Sequence, residues 1–435
     1  MGDVGAPRMG DDGQGAGLAE LEAKDLVELR SMATERSIAG AIDLSRDELI
    51  DRLNSITADG QDSAERLLGN GVLEIVDEGY GFLRRDPHWL PSRQDIYVSQ
   101  SQIRRFGLRT GDEVSGQVRS PKSGERYQGL VRVVAVNSLD PETAAGRPFF
   151  EKLTPVFPNE QLVLEHDPKE MTTRVIDLVA PVGRGQRGLI VSPPKAGKTE
   201  LMKRMARAML RNYSDLNIVV ALIGERPEEV TDWERSVDAE VISSTFDETP
   251  ESHCRVAEMT VARAKRLVES GENVVVFLDS ITRLSRAYNL SVPTSGKTLS
   301  GGIDPGALVP PKTFFGSGRN IEHGGSLTML ASCLIDTGSR MDEVIYEEFK
   351  GTGNWELILN RKLSERGTFP AVDVLRSGTR RTELMLNDEK TKNLWLLRRM
   401  LSAVGDEDAI ELMMDQLRKT EANADFLANL TKQAL

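Results

Sequence analysis

A lysine followed by a hydroxyl residue, Lys198-Thr199, closes the run Ser192-Pro193-Pro194-Lys195-Ala196-Gly197-Lys198-Thr199. The apolar stretch Gly188–Val191 precedes it, and a segment with apolar residues at 201, 202, 205, 206, 209 and 210 follows. A strand, a tight turn and an amphipathic helix in that order aim backbone amides and a helix N-terminus at one point, a geometry that binds phosphate. Lys198 would then reach the β- and γ-phosphates of a nucleotide, and the Thr199 hydroxyl would hold Mg²⁺. Ser192 stands where such loops usually begin with glycine. A second Gly-Lys-Thr, at 296–298, has neither flank and serves as an internal control. The bland reading of the first copy is an ordinary strand-turn-helix with a surface lysine.

Two further carboxylates fit the same chemistry. Val274–Leu278 is an apolar strand ending in Asp279, which suits an outer-sphere partner of the metal. Alone, such a strand reads as core followed by a helix cap. Glu225 follows the strand-like Asn217–Ile223 and so falls at the carboxyl rim where α/β sheets bind ligands. There it could orient and partly deprotonate a water, although a solvated loop residue is the simpler interpretation. Three elements in the right order indicate a P-loop ATPase.

The elements that must position these residues alternate strand and helix from Arg174 onward, with further strands at Ser326–Ile335 and Glu356–Leu359 and a helical last fifty residues. Such alternation predicts a mostly parallel sheet covered by helices on both faces. Before it, Val72–Val76, Gly81–Leu83, Asp95–Val98, Glu113–Val118 and Leu130–Val136 are short runs separated by turn residues, which predicts a small closed β-barrel. The expected division is a disordered tail at 1–17, a helical subdomain at 18–69 with a capping box at Ser45, the barrel at 70–137, a linker at 138–172 and the ATPase domain at 173–435.

The chain of 435 residues has a net charge of −12, which at face value opposes binding to polyanions. The barrel segment, however, carries ten basic against eight acidic residues, so the excess acid lies elsewhere. Tyr80, Phe82, Tyr97 and Tyr127 offer stacking faces there, interleaved with Arg84, Arg104, Arg105 and Arg126. Aromatics on barrel strands are, by themselves, more often core. Two cysteines rule out a disulfide framework and fit a reducing cytoplasm. Four scattered histidines give no structural metal site, and neither a leader nor a membrane-spanning run is evident.

Pro193–Thr199, Glu225-Arg226-Pro227-Glu228-Glu229-Val230, Leu278-Asp279-Ser280-Ile281-Thr282-Arg283 and the stretch from Asp336 to Asn354 together resemble the bacterial transcription termination factor Rho family. The likeness runs from about Gly71 to the C-terminus. It implies a homohexameric ring of RecA-like motors that bind ATP and Mg²⁺ between subunits, translocate on single-stranded RNA and release it from an RNA polymerase elongation complex. By resemblance, Gly183, Arg184, Gly185, Gln186, Arg187 and Gly188, with Lys195, Ala196, Gly197 and Glu200, line the nucleotide. Arg226 also touches it, Phe369 packs on the adenine, and Arg380 is a finger into the next subunit's site.

The barrel resembles the family's OB-fold for C-rich, unstructured RNA. Gly79, Tyr80, Gly81, Phe82, Leu83, Arg84, Asp95, Ile96, Tyr97, Glu125, Arg126 and Tyr127 are the residues expected to form its surface. Asp95 and Glu125 would accept hydrogen bonds from base edges such as the cytosine amino group. Ser295, Gly296, Lys297 and Arg340 correspond to loops of a second RNA site in the ring's channel, Arg340 falling where lysine is frequent. Gly224 and Gly367 depart from the family pattern, where an aspartate and a basic residue are common. Rival expectations are a rotary or export ATPase subunit, which shares the barrel-then-motor layout, and a family paralogue that binds RNA without translocating.

Overall fold

The computed structural model describes residues 67–122, 124–293 and 295–434, with Glu28, Leu29, Met32, Ala33, Leu49 and Leu53 before them. The expected tail, and the helical subdomain apart from those six positions and 67–69, lie outside the described residues. Two compact units are present: one ends at Gly146, and the other comprises Pro87–Leu90 and Arg147–Leu435.

The first unit contains a closed five-stranded barrel of β1 (Leu67–Ile75), β2 (Gly81–Arg84), β3 (Ile96–Val98), β4 (Glu113–Arg119) and β5 (Gln128–Val136), in the order β1-β2-β3-β5-β4. Alternation along β4 turns Val114 and Val118 inward, onto Leu73, Leu83, Ile96, Val98 and Leu130. A short helix, Gln100–Arg105, is capped by Ser99 and Gln102 in a reciprocal box and covers the barrel through Ile103. Near Gly116 the β4–β5 pairing shifts register, and a Cβ there would fall 2.1 Å from the Arg132 carbonyl oxygen. Glycine at that position is a packing requirement.

The second unit is built on a nine-stranded sheet. The short early strand β6 (Pro155–Val156) belongs to it, whereas β7 (Gln161–Leu162) and β8 (Val182–Gly183) form a separate two-stranded sheet. The main ladder uses β9 (Arg187–Ser192), β10 (Leu216–Ile223), β11 (Glu240–Ser244), β12 (Asn273–Asp279), β14 (Ser326–Leu334), β15 (Trp355–Ile358) and β16 (Gly378–Thr379), with β13 (Arg319–Ile321) at the side. The order is β11-β10-β12-β14-β9-β15-β16, parallel except for β16, and β13 bridges β14 to β6 in antiparallel fashion. Val274–Leu278 is buried throughout, as expected of a strand covered on both faces. The stretch expected as a linker is structured from Pro141, because β6 joins the sheet and β7 pairs with β8. Its lack of periodicity reflects strands of two residues, too short to show a pattern. Helices Asp388–Ser402, Asp406–Leu417 and Asn423–Ala434 close the unit, with Phe426 and Leu427 buried.

Candidate functional site

The phosphate loop sits at the carboxyl end of β9. Lys195 (φ +65°) and Gly197 (φ +83°) adopt left-handed backbone, which folds the loop over the first turn of the Lys198–Asn212 helix. Gly197 occupies the N-cap and has no side chain to satisfy that turn, so its amides are left for a ligand. A Cβ on Gly197 would come 3.2 Å from the Phe369 ring, so the half-exposed Phe369 lies against the loop.

β12 and β10 deliver the carboxylates. β14 alone separates β9 from β12, and Ser332 on β14 donates to Asp279 Oδ1 at 2.7 Å. The Lys198 ammonium bonds Asp279 and lies 3.3 Å from Glu225 Oε1. Burial opposes the charge on Lys198, yet Asp279 and Glu225 outweigh it and hold the ammonium above its ordinary range. Glu225 is pushed up to about 7, chiefly by burial and then by the Asp279 charge, with Lys198 and Arg283 acting against both. Asp279 Oδ2 is buried and accepts no hydrogen bond from the protein, and Thr199 Oγ1 lies 3.4 Å from Glu229 Oε2. Those two oxygen donors are of the kind that suits a hard divalent cation.

Arg283 and Glu229 stand within motifs of the resemblance without a role of their own, and Ser332 stands in none. Arg283 lies 3.3 Å from Glu225 Oε2, and its place at the end of the Leu278–Arg283 motif is the signal that could have drawn attention to it. Ser332 belongs to a strand with no motif. Gly224 takes φ +67°, and a Cβ there would meet Arg283 at 3.1 Å, so glycine suits both the turn and its neighbour. Gly367 is also left-handed, with open space around it.

The structure separates other residues expected at the nucleotide. Gly183–Gly188 lie at the opposite end of β9, roughly 15 Å from the phosphate loop by strand rise. Arg184 pairs with Glu160 and Asp215 at 2.9 Å, Gln186 donates to Asn354, and Arg187 donates to the carbonyls of Thr352 and Gly318. Within one chain these bonds fasten loops at that end of the sheet, because the strand carries near neighbours in sequence apart. Arg226 is exposed at the N-cap of the Pro227–Ser236 helix, Glu200 pairs with Arg204, and exposed Arg380 is anchored by its amide to the Asn354 carbonyl.

On the barrel, Tyr80, Phe82, Tyr97 and Tyr127 form one partly exposed aromatic cluster, with ring centroids 4.9–6.1 Å apart. The Arg84 guanidinium stacks 5.0 Å from the Phe82 ring, and Arg126 sits 5.6 Å from that of Tyr127. Leu83 and Ile96 point into the core and can offer only backbone to a ligand. Asp95 is fully buried, and its carboxylate already accepts from Arg84, the Ser92 amide and the Ser92 hydroxyl. Glu125 is held by both Arg119 nitrogens and the Lys122 amide, which lower it to about 2. A base edge would have to exchange with, or add to, those bonds.

The loop that carries Ser295, Gly296 and Lys297 reaches Arg340 further on, through Gly301. Asp304 pins the Ser295 amide and hydroxyl at 2.6 and 2.9 Å, which leaves Lys297 exposed beyond Gly296. Gly301 packs so closely on Arg340–Met341 that a Cβ would fall 2.6 Å from the Met341 nitrogen.

Comparison with known proteins accounts for both units. Residues 69–142 match the Rho termination factor RNA-binding domain, and 172–379 match the nucleotide-binding domain of the ATP synthase alpha/beta family. Transcription termination factor Rho of Bacillus subtilis is 53% identical over 96% of this chain and 96% of its own length. Rho of Salmonella typhimurium is 50% identical over 94% and 98%, and that of Thermotoga maritima 48% over 98% and 99%. A type III secretion system ATPase (TM-score 0.53, 20% identity, 64% of this chain and 86% of that one) shares the fold. So does the ATP synthase subunit NeqB (TM-score 0.54, 16% identity, 65% and 78%). The rival rotary and export ATPases are therefore relatives in fold, while near-full-length identity of about half, together with the matched RNA-binding domain, shows that the chain belongs to the transcription termination factor Rho family.

Proposed function

We propose that this chain is an RNA-dependent ATPase that loads on unstructured single-stranded RNA, translocates along it as a homohexamer in the cytoplasm and releases the transcript from an RNA polymerase elongation complex. The observation that carries the reading is the Lys198 ammonium held between Glu225 and Asp279 beneath an uncapped helix N-terminus. In that arrangement the loop amides and Lys198 bind the β- and γ-phosphates, and Phe369 packs on the base. Thr199 and Asp279 would hold Mg²⁺, which would neutralise phosphate charge. Glu225, buried and raised to about 7, is suited to take a proton from the attacking water. Arg226 approaches the γ-phosphate from the helix cap, and Arg380 reaches the site of a neighbouring copy.

The aromatic cluster on the barrel would stack RNA bases, with Arg84 and Asp95 as the donor and acceptor nearest a base edge. Lys297 and Arg340 would contact phosphates in the channel. Among the described residues no helix is long and apolar enough to cross a membrane. The test is ATP hydrolysis with and without poly(C), alongside native mass. Stimulation by RNA and a mass of six chains are expected. Lys198→Ala should bind poly(C) yet neither hydrolyse ATP nor terminate, and retained termination would defeat the reading.

A further inference from the structure

Beside the Gly224–Glu225 turn runs a second turn, from Ser244 at the end of β11 to Thr249. Two backbone bonds join them: the Gly224 amide donates to the Ser244 carbonyl at 2.7 Å, and the Phe246 amide donates to the Glu225 carbonyl at 3.1 Å. Glu225 thus takes its backbone position from a turn that carries none of the residues assigned above.

A polar cluster fixes that turn. Ser244 is fully buried, with Oγ 2.6 Å from His253 Nδ1 and 2.9 Å from Glu248 Oε2. The Ser252 hydroxyl reaches the same Glu248 oxygen, and Glu248 Oε1 accepts from the Thr245 amide at 3.4 Å. A hydroxyl has one proton to give and a carboxylate has none. One assignment satisfies the cluster: both serines donate to Glu248, and His253 donates its Nδ1 proton to Ser244. Burial holds His253 below its ordinary range, with Glu248 opposing and the Arg283 charge reinforcing that shift. Arg283 is also the guanidinium 3.3 Å from Glu225 Oε2, so the cluster touches Glu225 through backbone and through charge.

We propose that Ser244, Glu248 and His253 are positioning residues for Glu225, holding its carboxylate where the attacking water of ATP hydrolysis must sit. This rests on the reading of Glu225 as the base. A displacement of ~1 Å in such a group costs on the order of 10²-fold in rate, so a loosened turn is felt in turnover before it is felt in nucleotide binding.

The experiment measures kcat for poly(C)-stimulated hydrolysis and the Kd of a fluorescent ATP analogue for S244A, H253F, H253N and E248Q. Expected for S244A and H253F is a loss in kcat of about tenfold with Kd changed less than about twofold. H253N, whose side-chain amide can donate from nearly the Nδ1 position, should recover most of the loss. In an E225Q background S244A should cost nothing more, because residues acting as one unit are not additive. Unchanged kcat in both S244A and H253F, or equal loss of Kd and kcat, overturns the proposal, as does full additivity with E225Q. If S244A does not fold, the H253F and H253N pair decides alone. An E225Q protein that keeps full kcat sinks the underlying assignment instead, and the two failures are thereby distinguishable.

Discussion

Glu225 is a carboxylate made weakly acidic by burial and by Asp279, with its ionisation displaced to about 7. A general base must be charged to act, so kcat/KM for ATP should rise with pH through about 7 and then level off. Glu225→Gln should remove that limb and cost roughly 10²–10⁴-fold in kcat. A mutant that keeps the limb would place the base elsewhere. The same displacement affects stability. The folded carboxyl keeps its proton up to about 7, while an unfolded one loses it near 4.5, so the folded state binds more protons in between. Stability from this group is present at low pH and is lost as pH rises through that window. Urea denaturation at pH 5 and 8 should show a smaller difference in Glu225→Gln than in the parent. At the barrel surface, Phe82→Ala removes the ring at the centre of the aromatic cluster. It should weaken poly(C) binding by about 1–3 kcal/mol and leave ATP affinity intact; equal weakening of both would point to misfolding rather than lost stacking.

Strands and turns decide how far residue-level reasoning reaches. The phosphate loop, Asp279 and Glu225 were legible because each lies at the end of an apolar run whose direction follows from the parallel sheet. The five barrel strands were legible because turn residues separate them, and their observed limits differ from expectation by a few residues, most at the start of β1. Gly183–Gly188 are expected at the nucleotide by resemblance alone, and their own spacing gives no sign of it, because within one chain β9 carries them away from the phosphate loop. The pairing of Asp95 was not legible because its partner Arg84 arrives from the neighbouring strand, and no local pattern announces a buried pair. Ser332 was invisible for the same reason. The tightest element-level requirement in the barrel is Gly116, where an added methyl would face a backbone carbonyl that cannot turn aside. Gly116→Ala should destabilise the barrel by about 1–3 kcal/mol. The expected signature is lost RNA binding with RNA-independent ATP binding unchanged, read by filter binding and nucleotide fluorescence. A protein that retains full poly(C) affinity at 37 °C would show that the bulge relaxes.

At the scale of the whole molecule, the nucleotide site built by one chain holds a lysine, two carboxylates and nearby arginines, while Arg380 is tied by its backbone to Asn354 at the side of the sheet formed by β15 and β16. A finger from a neighbouring copy, as proposed, makes the contact heterologous, with each subunit giving Lys198 to one interface and Arg380 to the other. This arrangement predicts complementation. Lys198→Ala and Arg380→Ala should each abolish RNA-stimulated hydrolysis when assembled alone. Subunits mixed equally and exchanged before assembly should place an intact Lys198 opposite an intact Arg380 at roughly a quarter of the interfaces. Activity should therefore reappear in the mixture and vanish when exchange is blocked by prior crosslinking of each parent. A mixture that stays inactive while native mass shows mixed rings would mean that Arg380 serves its own chain, or that every site in the ring must fire. Titrating Lys198→Ala subunits into wild type separates those two: linear loss of activity leaves the sites independent, and a steep loss at one mutant per ring makes them obligately sequential.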